Sequence, residues 1–215
     1  MQLDLITVAF QIAVLLFSVV IHEVSHGAMA LALGDTTAKD AKRLTLNPLR
    51  HLDLFGSIIL PLILIALGGV VFGWAKPVPY NPYRLRDPKK GGALIGFAGP
   101  AANLMLAGVF AGALRILASS SYAATGGTFL AAAFFSIVLV NLFLAVFNLI
   151  PIPPLDGSKL LFAILPSRYD GLRVMLERYG IIIFIFFIFA ISDIVGPIVG
   201  WLTQLLVGEQ TLLAF

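Results

Sequence analysis

Residues 22–26 read His22-Glu23-Val24-Ser25-His26, the pattern H-E-x-x-H. Residues four apart on a helix share a face. The two imidazoles can therefore hold one metal ion, and the Glu23 carboxylate stands beside the ion's open position. This trio suits hydrolysis: the metal acidifies a water and the carboxylate takes its proton. The surroundings are apolar on both sides. Ile12-Ala13-Val14-Leu15-Leu16-Phe17 precedes the motif and Ala28-Met29-Ala30-Leu31-Ala32-Leu33 follows, within a run from about Leu5 to Leu33. Three ionisable side chains at membrane depth are costly unless they form a site. The competing reading, a pair of packed histidines, gives Glu23 no purpose.

A catalytic zinc usually takes three protein ligands and a water. The chain contains no cysteine, so the third ligand must be His or a carboxylate. The best candidate is Asp156, in Asn148-Leu149-Ile150-Pro151-Ile152-Pro153-Pro154-Leu155-Asp156-Gly157. Three prolines and a glycine unwind the chain there and let the carboxylate turn inward. Asp156 could instead merely cap the helix that begins near Ser158, since Asp favours N-caps. Asn148 could bond a substrate backbone or a developing oxyanion, or satisfy carbonyls freed near Pro151. Asn103, beyond the Gly99-Pro100 kink, reads first as structural, with a substrate or oxyanion contact as the alternative. His51 could gate the site, touch substrate or be a plain surface histidine in a basic loop; the last is the simplest reading. Arg43-Leu44-Thr45-Leu46-Asn47 alternates as a short strand would. A helix hides its peptide bonds in its own hydrogen bonds, so a peptide must be extended before a hydrolase can cut it. An edge strand containing Leu44 could hold the opened peptide by strand addition; the plainer alternative is a hairpin with no substrate contact.

These side chains need elements to position them, and composition puts those elements in a membrane. Of 215 residues, 60% are hydrophobic and 12% charged, with a mean hydropathy of +1.01. Apolar segments lie at about 5–33, 54–74, 93–114, 129–150 and 181–206, each near the roughly 20 residues a span needs. No polar stretch is long enough for a soluble domain, so residues 1–215 are read as one domain. The first run lacks the basic flank of a signal peptide and is expected to be retained. Gly196-Pro197 should kink or split the last segment. Gly108-Val109-Phe110-Ala111-Gly112 reads as a close-packing face between membrane helices.

Charge and geometry bear on segment 54–74. Cytoplasmic loops are rich in Lys and Arg. If 54–74 dips in and returns, thirteen of the 14 Lys and Arg fall on one side, leaving Arg115 alone on the other. If it crosses, the split is nine to five. The histidines lie toward the C-terminal end of the first helix, and Asp156 lies just past the end of the 129–150 helix. For both to reach one metal the two helices must run in the same direction, which an extra crossing would prevent by most of a bilayer, about 30 Å. Pro61 and Gly68-Gly69 supply breaks for a re-entrant hairpin. Both termini would then lie outside and the site would face the cytoplasm.

The chain resembles the site-2 proteases, a family of intramembrane zinc metalloproteases. The similarity is carried by His22–Gly27, Leu46–Asp53, Gly73-Trp74-Ala75-Lys76-Pro77-Val78-Pro79, Ala98-Gly99-Pro100-Ala101-Ala102-Asn103 and Asn148–Gly157. It implies one Zn2+ held by His22, His26 and Asp156, with Glu23 catalytic. It also implies cleavage of a substrate's transmembrane helix after local unwinding, as in regulated intramembrane proteolysis. Compact bacterial and archaeal members without a PDZ or CBS domain are the most similar type. The resulting expectation is an all-α polytopic membrane protein with about four transmembrane helices, a re-entrant segment and a short β hairpin near the active site, five or six helices being the alternative. Its partners would be the lipid bilayer of the cell membrane and a transmembrane protein substrate. The Lys89-Lys90 pair reads as a topology signal at an anionic leaflet, and nothing suggests nucleic acid. The rival classes are a transporter or metal-handling protein and a proteolytically dead binding protein. Against the first, no inverted repeat is present; against the second, all four catalytic positions are intact.

Overall fold

The computed structural model describes residues 5–53, 59, 76–119 and 128–212. Its helices are α1 (Leu5–Ala32), α2 (Thr37–Asp40), α3 (Pro88–Ala118), α4 (Thr128–Asn148), α5 (Gly157–Ile164), α6 (Asp170–Val207) and α7 (Glu209–Leu212). Short 3-10 turns occupy Pro48–Arg50, Pro82–Arg84 and Ser167–Tyr169. Leu5–Ala32, Pro88–Ala118 and Phe129–Asn148 are long and apolar enough to cross a membrane. Ile6, Ile12, Met105, Val109, Ile116 and Phe129 are each at least 60% exposed. Such outward apolar surface is expected where lipid, not water, covers a helix.

Local chemistry sets the helix ends that matter. α1 stops at Gly34, whose φ of +97° only glycine adopts easily. The Gly34 N–H bonds Leu31 O at 3.0 Å and the Asp35 N–H bonds Ala30 O at 2.9 Å, which satisfies the last carbonyls of the helix. α3 starts at Pro88 behind Asp87, whose carboxylate accepts from the N–H groups of Lys89 and Lys90. Proline at the first position loses no helical bond.

Contacts at several heights give the helix directions. Near one end, Ala30 of α1 packs with Leu85 and with Ile95 of α3; deeper in, Ser18 of α1 meets Asn103 of α3. Those two helices are antiparallel. The rings of Phe10 and Phe129 lie 6.4 Å apart, Ser18 meets Asn141 of α4, and His22 meets Asp156 just beyond α4. α1 and α4 therefore run in the same direction. The apolar core lies away from the motif, where Ala107, Ala111 and Leu114 of α3 meet Ala131, Val138 and Leu142 of α4 and Val195, Val199 and Val207 of α6.

Several expectations change. The last segment is not split at Gly196-Pro197: α6 is helical from Asp170 to Val207. The proline removes one N–H, and the helix continues on either side of it. Among the described residues, close packing on α3 falls on Ala107 and Ala111, and a Cβ at Gly108 or Gly112 would meet none of their atoms within 4 Å. Residues 43–47 form no strand, and there is none among the described residues. Local side-chain bonds replace a ladder. Thr45 O pairs with His51 Nε2 at 2.8 Å, and Asn47 Oδ1 accepts from Leu49 N–H at 3.0 Å. Arg43 also donates to Arg50 O. The re-entrant segment expected at 54–74 lies, apart from Ile59, outside the described residues.

Candidate metal centre

Three side chains converge. His22 Nε2 and His26 Nε2 are 3.0 Å apart, and Asp156 Oδ2 is 3.0 Å from each. A tetrahedral zinc with bonds of about 2.0–2.1 Å spaces its ligands about 3.3 Å apart. The triangle is within a few tenths of an ångström of that size. The outward ring nitrogens agree with this reading. His26 Nδ1 lies 2.5 Å from Ile95 O and His22 Nδ1 lies 2.6 Å from Asn103 Oδ1. Both partners accept, so both Nδ1 atoms carry the proton and both Nε2 lone pairs point inward. Two lone pairs and a carboxylate oxygen aimed at one point repel unless a cation lies between them. The donor set, two imidazoles and one carboxylate without sulfur, suits zinc.

The sequence builds this triangle by removing bulk around it. A Cβ on Gly99 would sit 2.6 Å from ring atoms of both histidines, so glycine there lets α3 lie against the rings. A Cβ on Gly157 would sit 2.2 Å from Leu149 O; here the chain folds back so tightly that a side chain has no room. Asp156 occupies the position before α5, yet its side chain makes no capping bond. Its Oδ1 accepts from Lys159 Nζ at 2.8 Å, which leaves Oδ2 for the triangle.

Glu23 stands beside the triangle. Ligand atoms of His22, Glu23 and His26 lie within 4.8 Å of one another, but Glu23 Oε2 accepts from Val78 N–H at 2.9 Å. Of the two carboxylates, Asp156 is the one that meets both imidazole nitrogens. Val78 belongs to a strap, residues 76–81, pinned at three points. Lys76 N–H bonds His51 O at 2.8 Å, Val78 bonds Glu23, and Asn81 N–H bonds Asp35 Oδ2 at 2.6 Å. Burial opposes the charge on Asp35, but the Thr37 hydroxyl and the N–H groups of Asn81 and Thr37 hold its carboxyl below the ordinary carboxylate range.

The remaining sequence candidates fall in different places. His51 is 1% exposed, not a surface histidine, and it ties Thr45 to the strap. Leu44 lies against the motif helix: a Cβ on Gly27 would meet its Cδ2 at 2.6 Å. Beside it opens a cleft of about 370 Å³ lined by Lys39, Lys42, Leu44, Thr45, Asn47 and Arg50. Asn148 Nδ2 bonds Leu144 O at 2.9 Å, one turn back on its own helix. Asn103 is fully buried and behind His22. Ser18, Asn141 and Lys159 lie outside every motif of the sequence, and Val78 lies within one that gives it no role of its own. A lone polar residue in an apolar helix was the available signal for the first two.

Residues 110–191 match peptidase family M50. The chain is 40% identical over 183 residues to a Bacillus subtilis (strain 168) protein named "Putative zinc metalloprotease YwhC", covering 82% of this chain and 78% of that one. It is 32% identical over 142 residues to a protein of Mycolicibacterium smegmatis named "Putative zinc metalloprotease Rip2". A Mycobacterium tuberculosis (strain H37Rv) protein of the same name is 34% identical over 144 residues. Each of these two matches covers 66% of this chain and 52% of the relative. No solved structure matches the chain.

Proposed function

The chain belongs to peptidase family M50, the site-2 proteases, and from that premise we propose which residues hold its metal and which move the proton. It is a membrane protein and a zinc-dependent intramembrane endopeptidase. We assign the zinc to His22, His26 and Asp156. The supporting observation is the 3.0 Å triangle of inward lone pairs. Bound zinc lowers the pKa of a water to about 7 and polarises a carbonyl. Glu23 is the general base: its carboxylate takes a proton from water on the open side and returns it to the leaving amide nitrogen. Lys159 keeps one oxygen of Asp156 occupied so that the other points inward.

The substrate is a transmembrane helix, locally unwound before the cut. The segment at Leu44 is the surface on which it extends, becoming a strand only when the opened peptide pairs with it. Support comes from the position of Leu44 against Gly27, next to His26, and from the adjoining cleft. The chain forms one domain, 1–215, with four crossings, α1, α3, α4 and α6, and segment 54–74 returns to the side it left. The packing of Ala30 with Leu85 and Ile95 supports this, since the chain leaves α1 and enters α3 at the same end. With thirteen of the 14 basic residues on that side, the site faces the cytoplasm.

The test uses purified protein, zinc and a model transmembrane substrate in lipid vesicles. Glu23→Gln should lower cleavage by about 10²–10⁴-fold and keep its zinc. Zinc flux across the vesicle without cleavage would instead support a transporter.

A further inference from the structure

The reason His22 offers Nε2 to the metal lies in a helix that supplies no ligand. Asn141 of α4 is fully buried. Its Nδ2 lies 2.8 Å from Ile137 O and 3.0 Å from Ser18 Oγ. A backbone carbonyl only accepts, so the end of Asn141 facing Ile137 must be the NH₂. Its Oδ1 then faces Asn103, and Asn103 Nδ2 donates to it at 2.8 Å and to Ser18 O at 3.3 Å. That orientation turns Asn103 Oδ1 to His22 Nδ1, 2.6 Å away. An amide oxygen cannot donate, so the ring must carry a proton on Nδ1, and the neutral imidazole then presents Nε2 unprotonated. Each step forces the next, and none of Ser18, Asn103 or Asn141 titrates.

We propose that Asn141, together with Ser18, is a positioning residue for the metal: it fixes the amide of Asn103 and through it the tautomer and tilt of His22. His26 needs no such relay, because Ile95 O takes its Nδ1 proton directly at 2.5 Å. Without Asn141, only the longer 3.3 Å bond to Ser18 O holds the Asn103 amide, so the flipped amide, which presents NH₂ to His22 and favours the wrong tautomer, becomes easier to reach. Partners that orient a metal-bound histidine commonly change metal affinity by about 10–100-fold. A polar pair that only glues two membrane helices together would instead act on stability.

The proposal rests on His22 being a zinc ligand, and the experiment separates the two claims. Zinc affinity is measured by chelator competition on the purified, folded protein for wild type, His22→Ala, Asn103→Leu, Asn141→Leu and the double variant N103L/N141L. Asn141→Leu should weaken zinc about 10–100-fold, and N103L/N141L should be no weaker than Asn103→Leu alone, because Asn141 acts through Asn103. If Asn141→Leu does not fold, Asn141→Ser carries the same cycle. Wild-type affinity in the Asn141 variant, or losses that add in the double variant, would overturn the proposal. His22→Ala that keeps its zinc would overturn the ligand assignment itself.

Discussion

The far end of the helix bundle and its metal end share α3 and α4 but are packed differently. At the far end, Ala107, Ala111 and Leu114 meet alanines, valines and leucine, and the one buried polar side chain described there, Thr203, turns its hydroxyl back to Val199 O of its own helix. At the metal end, α3 presents Gly99 and Asn103, and the space between helices is filled by Ser18, His22, His26, Asn141 and Asp156. Lipid tails are as apolar as leucine, so helices in a membrane associate through close packing and hydrogen bonds without a solvent-driven force. The far end therefore needs shape and little more. At the metal end each polar atom has an assigned partner, and a side chain of similar size with the wrong donor leaves another group unpaired in low dielectric.

That contrast yields an ordered set of outcomes. The largest is Gly99→Ala, which drives a methyl group into both histidine rings; stoichiometric zinc binding and cleavage should both be lost. Zinc analysis of the purified protein checks it, and a fully loaded variant would mean that the rings have room to move. The next is Leu114→Ala, about 22 Å along the same helix. It should cost stability, at most the about 2–5 kcal/mol of a buried leucine in a soluble core, and leave zinc affinity unchanged. A shift in zinc affinity would show that the two ends are coupled. The smallest is Leu44→Pro, which removes one N–H from the segment beside Gly27. Cleavage should fall about tenfold, the value of one hydrogen bond near 1.4 kcal/mol, with zinc retained. Cleavage at the wild-type rate would remove the strand-addition role.

What could be read in the sequence was what depends on local spacing. H-E-x-x-H puts its side chains on one helical face whatever surrounds it. The prolines before Asp156 exclude a continuing helix, and the need for two helix ends to meet implied their shared direction. The relay was hidden because Asn141 and Ser18 are 123 residues apart, and neither lies in a motif. His51 read as a surface residue because its loop is basic; its burial comes from bonds to Thr45 and the strap. Residues 43–47 alternate like a strand, but alternation cannot count the side-chain acceptors within reach. At Pro197 the chain does not split, because the proline removes only one backbone donor from the helix.

The central claim is that His22, His26 and Asp156 hold one zinc while Glu23 stands outside its ligand set. Zinc content under a graded chelator series tests it most directly, on wild type, Asp156→Ala and Glu23→Gln. The expected result is one zinc per chain in wild type and Glu23→Gln, with Asp156→Ala emptied at chelator concentrations that leave the other two loaded. An Asp156→Ala protein that holds zinc as tightly as wild type, or a Glu23→Gln protein that loses it, would contradict the account.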